Sequence, residues 1–200
     1  MNARPMPPLY GLLLGGGASK RMQRDKAALD YHGEPQLLHA WRLLEAVTER
    51  AFVSVRADQR DDPLRAQLPQ RVDTWEASSP AAGILTAQDA HPDAAWLVLA
   101  CDLPLLDADT LGQLIAARDP DADATAFRSR FDDLPEPLCA IWEPASHALL
   151  ATRLREDKLC PRKALILSDT HLLPPPGHAL DNVNTPQEHD AMRRAMESST

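Results

Sequence analysis

Between Leu14 and Lys26 the chain reads Leu-Gly-Gly-Gly-Ala-Ser-Lys-Arg-Met-Gln-Arg-Asp-Lys. Gly15, Gly16 and Gly17 carry no side chain to keep an anion away from backbone N–H groups. Lys20, Arg21, Arg24 and Lys26 then place four cations within seven residues, against the single carboxylate of Asp25. Backbone donors followed by clustered cations are the chemistry of a phosphate cradle. Two common cradles do not match: no Gly-Lys-Ser/Thr completes a Walker loop, and Lys20 stands where a dinucleotide fingerprint needs its third glycine. A glycine turn leading into a solvated basic patch would have the same composition.

A second feature is Leu99-Ala-Cys-Asp-Leu-Pro-Leu-Leu106, where one carboxylate emerges from an apolar run. Asp107 and Asp109 are available to cap the helix that follows, which leaves Asp102 free to ligate a divalent ion. Magnesium commonly takes one or two protein carboxylates and completes its shell with phosphate oxygens and water, so one aspartate opposite a phosphate loop is chemically sufficient. In Leu180-Asp-Asn-Val-Asn-Thr-Pro-Gln-Glu188 a capping box accounts for Thr185, Pro186 and Glu188. Asn182 and Asn184 remain, either to orient a polar anionic ligand or to serve turn geometry. Gly83, in Ser79-Pro-Ala-Ala-Gly83-Ile-Leu, permits close approach of a ligand or of backbone. The seven histidines have no metal-ligand spacing, and no serine sits in a nucleophile elbow.

The elements that must position these residues alternate. Leu9 to Leu14 reads as a buried first strand closed by glycines, and Pro35 opens an amphipathic helix running to Arg50. Strands follow at 51–55 and 72–75, with a short helix at 64–68 between them and another helix at 82–90. The apolar run 95–101 is a strand covered on both faces. A helix at 109–118, strands at 124–128 and 138–142, and helices at 145–155, 162–168 and 186–196 complete the pattern. Strand and helix in alternation predict an α/β fold with a mostly parallel sheet and right-handed crossovers. In such sheets ligands bind beyond the carboxyl ends of the strands, which is where the glycine segment and Asp102 both lie.

Two hundred residues suit one domain, 1–200. No apolar run approaches the roughly 18 residues that would cross a membrane. The net charge of −8 and nine aromatic residues argue against a protein that binds nucleic acid along its backbone. Yet two of the four lysines lie between positions 20 and 26, so the positive charge is local. Cys101, Cys139 and Cys160 are too few and scattered for a disulfide framework or zinc site and read as core residues. With no signal-peptide pattern, these cysteines point to the cytoplasm.

These segments, in this order, resemble the molybdenum cofactor guanylyltransferases, the MobA-type nucleotidyltransferases, over residues 9 to 197. The opening pattern Leu-Ala-Gly-Gly, Ser, Arg-Met-Gly, Asp-Lys is matched by Leu14-Gly15-Gly16-Gly17, Ser19, Arg21-Met22-Gln23 and Asp25-Lys26, with Gly15 and Gln23 as departures. The family's Gly-Pro-Leu-Ala-Gly-Ile loop is similar to Ser79 to Ile84, its Cys-Asp-x-Pro element to Cys101 to Pro104, and its Asn-Val-Asn-Thr-Pro signature stands at 182 to 186. The resemblance implies a three-layer α/β/α, Rossmann-like nucleotidyltransferase fold that uses Mg²⁺ and joins GMP from GTP to the terminal phosphate of molybdopterin, releasing pyrophosphate. By position it implies nucleotide contacts from Leu14, Gly15, Gly16, Gly17, Ser54, Glu76 and Gly83. Lys26 would meet the triphosphate and Asp102 the magnesium and GTP, while Arg21 and Lys26 would offset charge growing on the leaving pyrophosphate. Asn182 and Asn184 would face the pterin. It further implies transient contact with other cofactor-biosynthesis or acceptor proteins. A relative using CTP or another NTP, with molybdopterin or a sugar or alcohol phosphate, shares these features, as does a non-catalytic nucleotide-binding homologue.

Overall fold

A computed structural model describes residues 5–16, 25–183 and 185–197. Seven strands form one sheet: β1 (Leu9–Leu14), β2 (Arg50–Val55), β3 (Gln70–Val72), β4 (Ala95–Ala100), β5 (Ala124–Arg128), β6 (Pro135–Trp142) and β7 (Thr170–Leu173). Their order is β3-β2-β1-β4-β6-β5-β7. All neighbouring pairs are parallel except those of β6, which runs antiparallel to β4 and β5.

The sheet is covered on both faces, and the alternation of side chains along each strand decides which residue goes where. In β4, Ala95, Leu97 and Leu99 join one buried cluster, while Trp96 and Val98 join the other. The first cluster is closed by α1 (Gln36–Glu45) and α3 (Ala108–Ala116). The second is closed by α2 (Pro80–Ala90), α4 (His147–Arg155) and α5 (Pro161–Leu167). In α1 the buried residues Leu37, Ala40, Trp41 and Leu44 recur at three and four positions, the spacing of one helix face. The last helix, α6 (Pro186–Glu197), follows the Asn-Val-Asn segment.

Helix ends fall where local hydrogen bonding is satisfied. Asp107 caps α3 by accepting from the Thr110 N–H at 2.8 Å. The capping box before α6 forms as its sequence requires: the Thr185 hydroxyl accepts from Glu188 N–H at 3.2 Å, and the Glu188 carboxylate accepts from Thr185 N–H at 3.1 Å. α1 stops at Glu45 rather than Arg50, because Thr48 donates its hydroxyl to the Leu44 carbonyl at 2.8 Å and Arg50 already pairs with Tyr10 of β1. Cys139 is core and Cys101 packs against it, but Cys160 is exposed at the start of α5, contrary to the core reading. Among the described residues no helix is long and apolar enough to cross a membrane.

Candidate active site

The chain leaves β1 for β2 and β3 on one side, then returns to β4 on the other, so the strand order reverses at the β1/β4 boundary. Such a switch opens a crevice at the carboxyl ends of the strands. The glycine segment leaves β1 there, and Cys101-Asp102 leaves β4 there. Across this boundary Lys26 Nζ lies 2.8 Å from Asp102 Oδ2, with both side chains partly buried. Lys26 begins a single helical turn, Lys26–Ala28, capped by the Asp25 carboxylate, which accepts from Ala27 N–H at 3.1 Å. With Asp107 capping α3, the Asp102 carboxylate is committed to this crevice and not to helix termination.

The main chain of Asp102 also organises the C-terminal segment. Its carbonyl accepts from the Val183 N–H at 3.2 Å, and Val183 is buried. This brings Asn182, itself exposed, to the rim of a cleft of about 260 Å³ that Asp102, Leu103, Ser129, Phe131 and Arg162 also line. Gly17, Arg21 and Asn184 lie outside the described residues.

On the other side of β1 the site is built by Ser54, at the end of β2. Its hydroxyl donates to Asp73 Oδ1 at 2.8 Å. A Cβ at Gly83 would lie 2.5 Å from this same Ser54 Oγ and 3.2 Å from Leu14 Cδ2, so the glycine lets the start of α2 close onto Leu14 and Ser54. Gly15 has a similar explanation: its N–H donates to the Ser54 carbonyl at 3.1 Å, and a Cβ there would stand 2.7 Å from Val53 Cγ2. Gly16 is roomier, with its nearest neighbour 3.5 Å from such a Cβ.

Glu76 is exposed on the loop beyond β3, whereas Asp73 is the carboxylate that the fold brings to Ser54. The expected strand 72–75 hid Asp73. Because β3 ends at Val72, Asp73 is the first residue past a parallel strand, close to the position Asp102 has relative to β4. Burial holds the Asp73 carboxyl above its ordinary range, with Ser54 and Arg56 pulling the other way. A group whose folded pKa is raised contributes stability that is present at acid pH and lost as pH rises through the folded value. Asp73→Asn keeps an acceptor for Ser54 and removes that loss. Urea unfolding should therefore show the variant gaining on the parent as pH rises from the ordinary value of 3.8, then holding a constant advantage at neutral pH. A stability difference that does not vary with pH would exclude this reading.

Two groups near Asp102 stay protonated. Burial pushes the Cys101 thiol up to about 12, and Asp102 and Asp25 push it the same way, so it is no nucleophile at neutral pH. Burial, with the Asp102 carboxylate second, also raises the Tyr31 phenol well above its usual range, and its ring lies 4.8 Å from that of His189 on α6. Among the described residues no three His, Cys, Asp or Glu side chains gather to enclose a metal. The donor set at Asp102 fits a hard ion that takes one carboxylate from protein and its other ligands from phosphate and water. What the arrangement offers is a cationic and carboxylate pair beside one cleft at the sheet's carboxyl ends.

The model of the MobA-like NTP transferase domain matches residues 11–169. A protein of Synechocystis sp. named molybdenum cofactor biosynthesis bifunctional protein is 35% identical over 183 residues, covering 91% of this chain and 53% of that protein. The chain thus spans about half the length of that relative. A Pseudomonas fluorescens molybdenum cofactor guanylyltransferase is 29% identical, with 92% of each chain covered. Among solved structures, a molybdopterin-guanine dinucleotide biosynthesis protein A from Archaeoglobus fulgidus superposes with a TM-score of 0.79 at 16% identity, covering 95% of this chain and 99% of that one. At that identity the likeness is one of fold.

Proposed function

The chain belongs to the MobA-like NTP transferase family, and from that premise we propose that it transfers GMP from GTP to the terminal phosphate of molybdopterin, with Mg²⁺, releasing pyrophosphate. The observation that carries this reading is the Lys26–Asp102 pair, 2.8 Å apart where the strand order reverses, between the glycine loop and the Asn182 cleft. In the reaction a phosphate oxygen of molybdopterin attacks the α-phosphorus in line. A new P–O bond forms, the α–β bridge breaks, and pyrophosphate leaves with the bonding electron pair. No covalent enzyme intermediate is required, so positioning and charge neutralisation do most of the work.

The Lys26 ammonium stabilises negative charge on the triphosphate. Asp102 would hold Mg²⁺, which when bound supplies neutralisation of charge at the α-phosphate and leaving group. Gly16 offers backbone at the loop. Ser54 and Asp73 form a polar wall whose carboxylate accepts hydrogen bonds from N–H groups, as the N1 and 2-amino groups of guanine provide. Asn182 lies toward the pterin, and Arg21, by the same resemblance, toward pyrophosphate. Transient docking with other cofactor-biosynthesis proteins, in the cytoplasm, fits a product that must be handed on.

Thermal melting with GTP, CTP, ATP and UTP in the presence of Mg²⁺ tests the nucleotide. A ligand that binds only the folded state at a hundred times its Kd adds about 2.7 kcal/mol of apparent stability. GTP should give the largest upward shift. A larger shift with CTP would move the chain to a cytidylyl reaction, and no shift with any nucleotide would remove the proposal.

A further inference from the structure

Arg65 is a fully buried arginine, 1% exposed, on the single helical turn Arg65–Gln67 between β2 and β3. Charged side chains are rarely placed so deeply without paired partners, and its partners are specific. Nε donates to the Gly15 carbonyl at 2.8 Å. Nη1 and Nη2 form a fork on the two oxygens of Asp25, at 2.7 and 2.9 Å, and Nη1 also donates to Asp62 at 3.1 Å. One guanidinium therefore holds both ends of the glycine-rich loop, the residue after β1 and the residue before Lys26. Arg56, just beyond β2, adds a bond from Nη1 to the Gly16 carbonyl while its other nitrogens hold Asp58.

The geometry of the peptide unit gives this grip a consequence. The unit is planar and trans, so the Gly15 carbonyl and the Gly16 N–H point in opposite directions. Fixing the carbonyl on the buried guanidinium turns the Gly16 N–H away from it. At the other end, the Asp25 carboxylate that Arg65 holds is also the cap of the turn that begins with Lys26. We propose that Arg65 is a positioning residue for nucleotide binding, a clamp that joins Gly15 to Asp25 and so presents the Gly16 N–H and Lys26 together to the triphosphate. The proposal rests on the nucleotidyltransferase reading above. It assigns Arg65 no contact with the nucleoside, which the Ser54 and Asp73 wall would bind.

The distinction between phosphate and nucleoside supplies the test. Arg65→Lys keeps the charge and loses the fork, since an ammonium cannot make two parallel bonds to one carboxylate. Asp25→Asn is a milder second variant on a partly exposed side chain: it keeps the cap oxygen for Ala27 N–H and weakens only the grip at that end. Binding of N-methylanthraniloyl-GTP and of the corresponding guanosine derivative is titrated by fluorescence with Mg²⁺ for all three proteins, each first checked by thermal melting. The expected result is a loss of about tenfold or more in triphosphate affinity for Arg65→Lys, as for a lost charge-assisted hydrogen bond. Asp25→Asn should lose less, and nucleoside affinity should stay within about twofold in both. Equal weakening of both probes would make Arg65 merely structural, and unchanged triphosphate binding in a folded Arg65→Lys or Asp25→Asn protein would overturn the clamp. Failure of the unaltered protein to bind the triphosphate probe overturns instead the nucleotide reading on which the clamp depends.

Discussion

Asp102→Ala is expected to lower single-turnover transfer from GTP to molybdopterin by about two to three orders of magnitude, the usual loss when one preorganised electrostatic group is removed from a transition state. The fold should survive. The carboxylate caps no helix, because Asp107 does that for α3, and the C-terminal segment is tied to the Asp102 carbonyl, which alanine retains. Asp102→Asn separates charge from shape: the amide fills the same space but neither pairs with Lys26 as an anion nor binds magnesium comparably. Its loss should be close to that of alanine. Melting temperatures within a few degrees of the parent would show that chemistry, not folding, had been removed. Pyrophosphate release at the parent rate in both variants would take Asp102 out of the mechanism.

That Asp102 can be singled out at all reflects which features of the chain have a local signature. A strand buried on both faces, such as β4, is a continuous apolar run, and a carboxylate at its end is conspicuous. Caps are equally local: Thr185 and Glu188 pair as their spacing demands. β7 carries no such signal. It is a four-residue edge strand, none of whose residues is fully buried, so neither alternation nor an apolar run marks it. The direction of β6 is also silent, since side-chain periodicity is the same in parallel and antiparallel strands. Asp73 was concealed by a strand boundary three residues out, which shifted the expected carboxylate to the exposed Glu76. Arg65 was concealed by its type, because in sequence an arginine three residues after the Asp61-Asp62 pair reads as solvated surface. Only the fold reveals that its partners include Gly15 and Asp25, forty or more residues away.

Lys26→Ala should be as severe as Asp102→Ala, but differently distributed. The ammonium bears on the triphosphate before and during transfer, so KM for GTP should rise from lost ground-state binding while kcat falls from lost transition-state stabilisation, together costing about two to three orders of magnitude in kcat/KM. Lys26→Arg should recover only part of this, because a broad planar guanidinium cannot reproduce a compact charge 2.8 Å from Asp102 Oδ2. The informative protein is the double variant. Lys26 and Asp102 touch each other and address the same phosphates, so once one is gone the other has lost part of its context. The double loss in kcat/KM should therefore fall clearly short of the product of the two single losses, as it does for groups that act as a unit. A fully multiplicative loss would mean that the 2.8 Å contact has no role in catalysis and that each group meets its own part of the substrate.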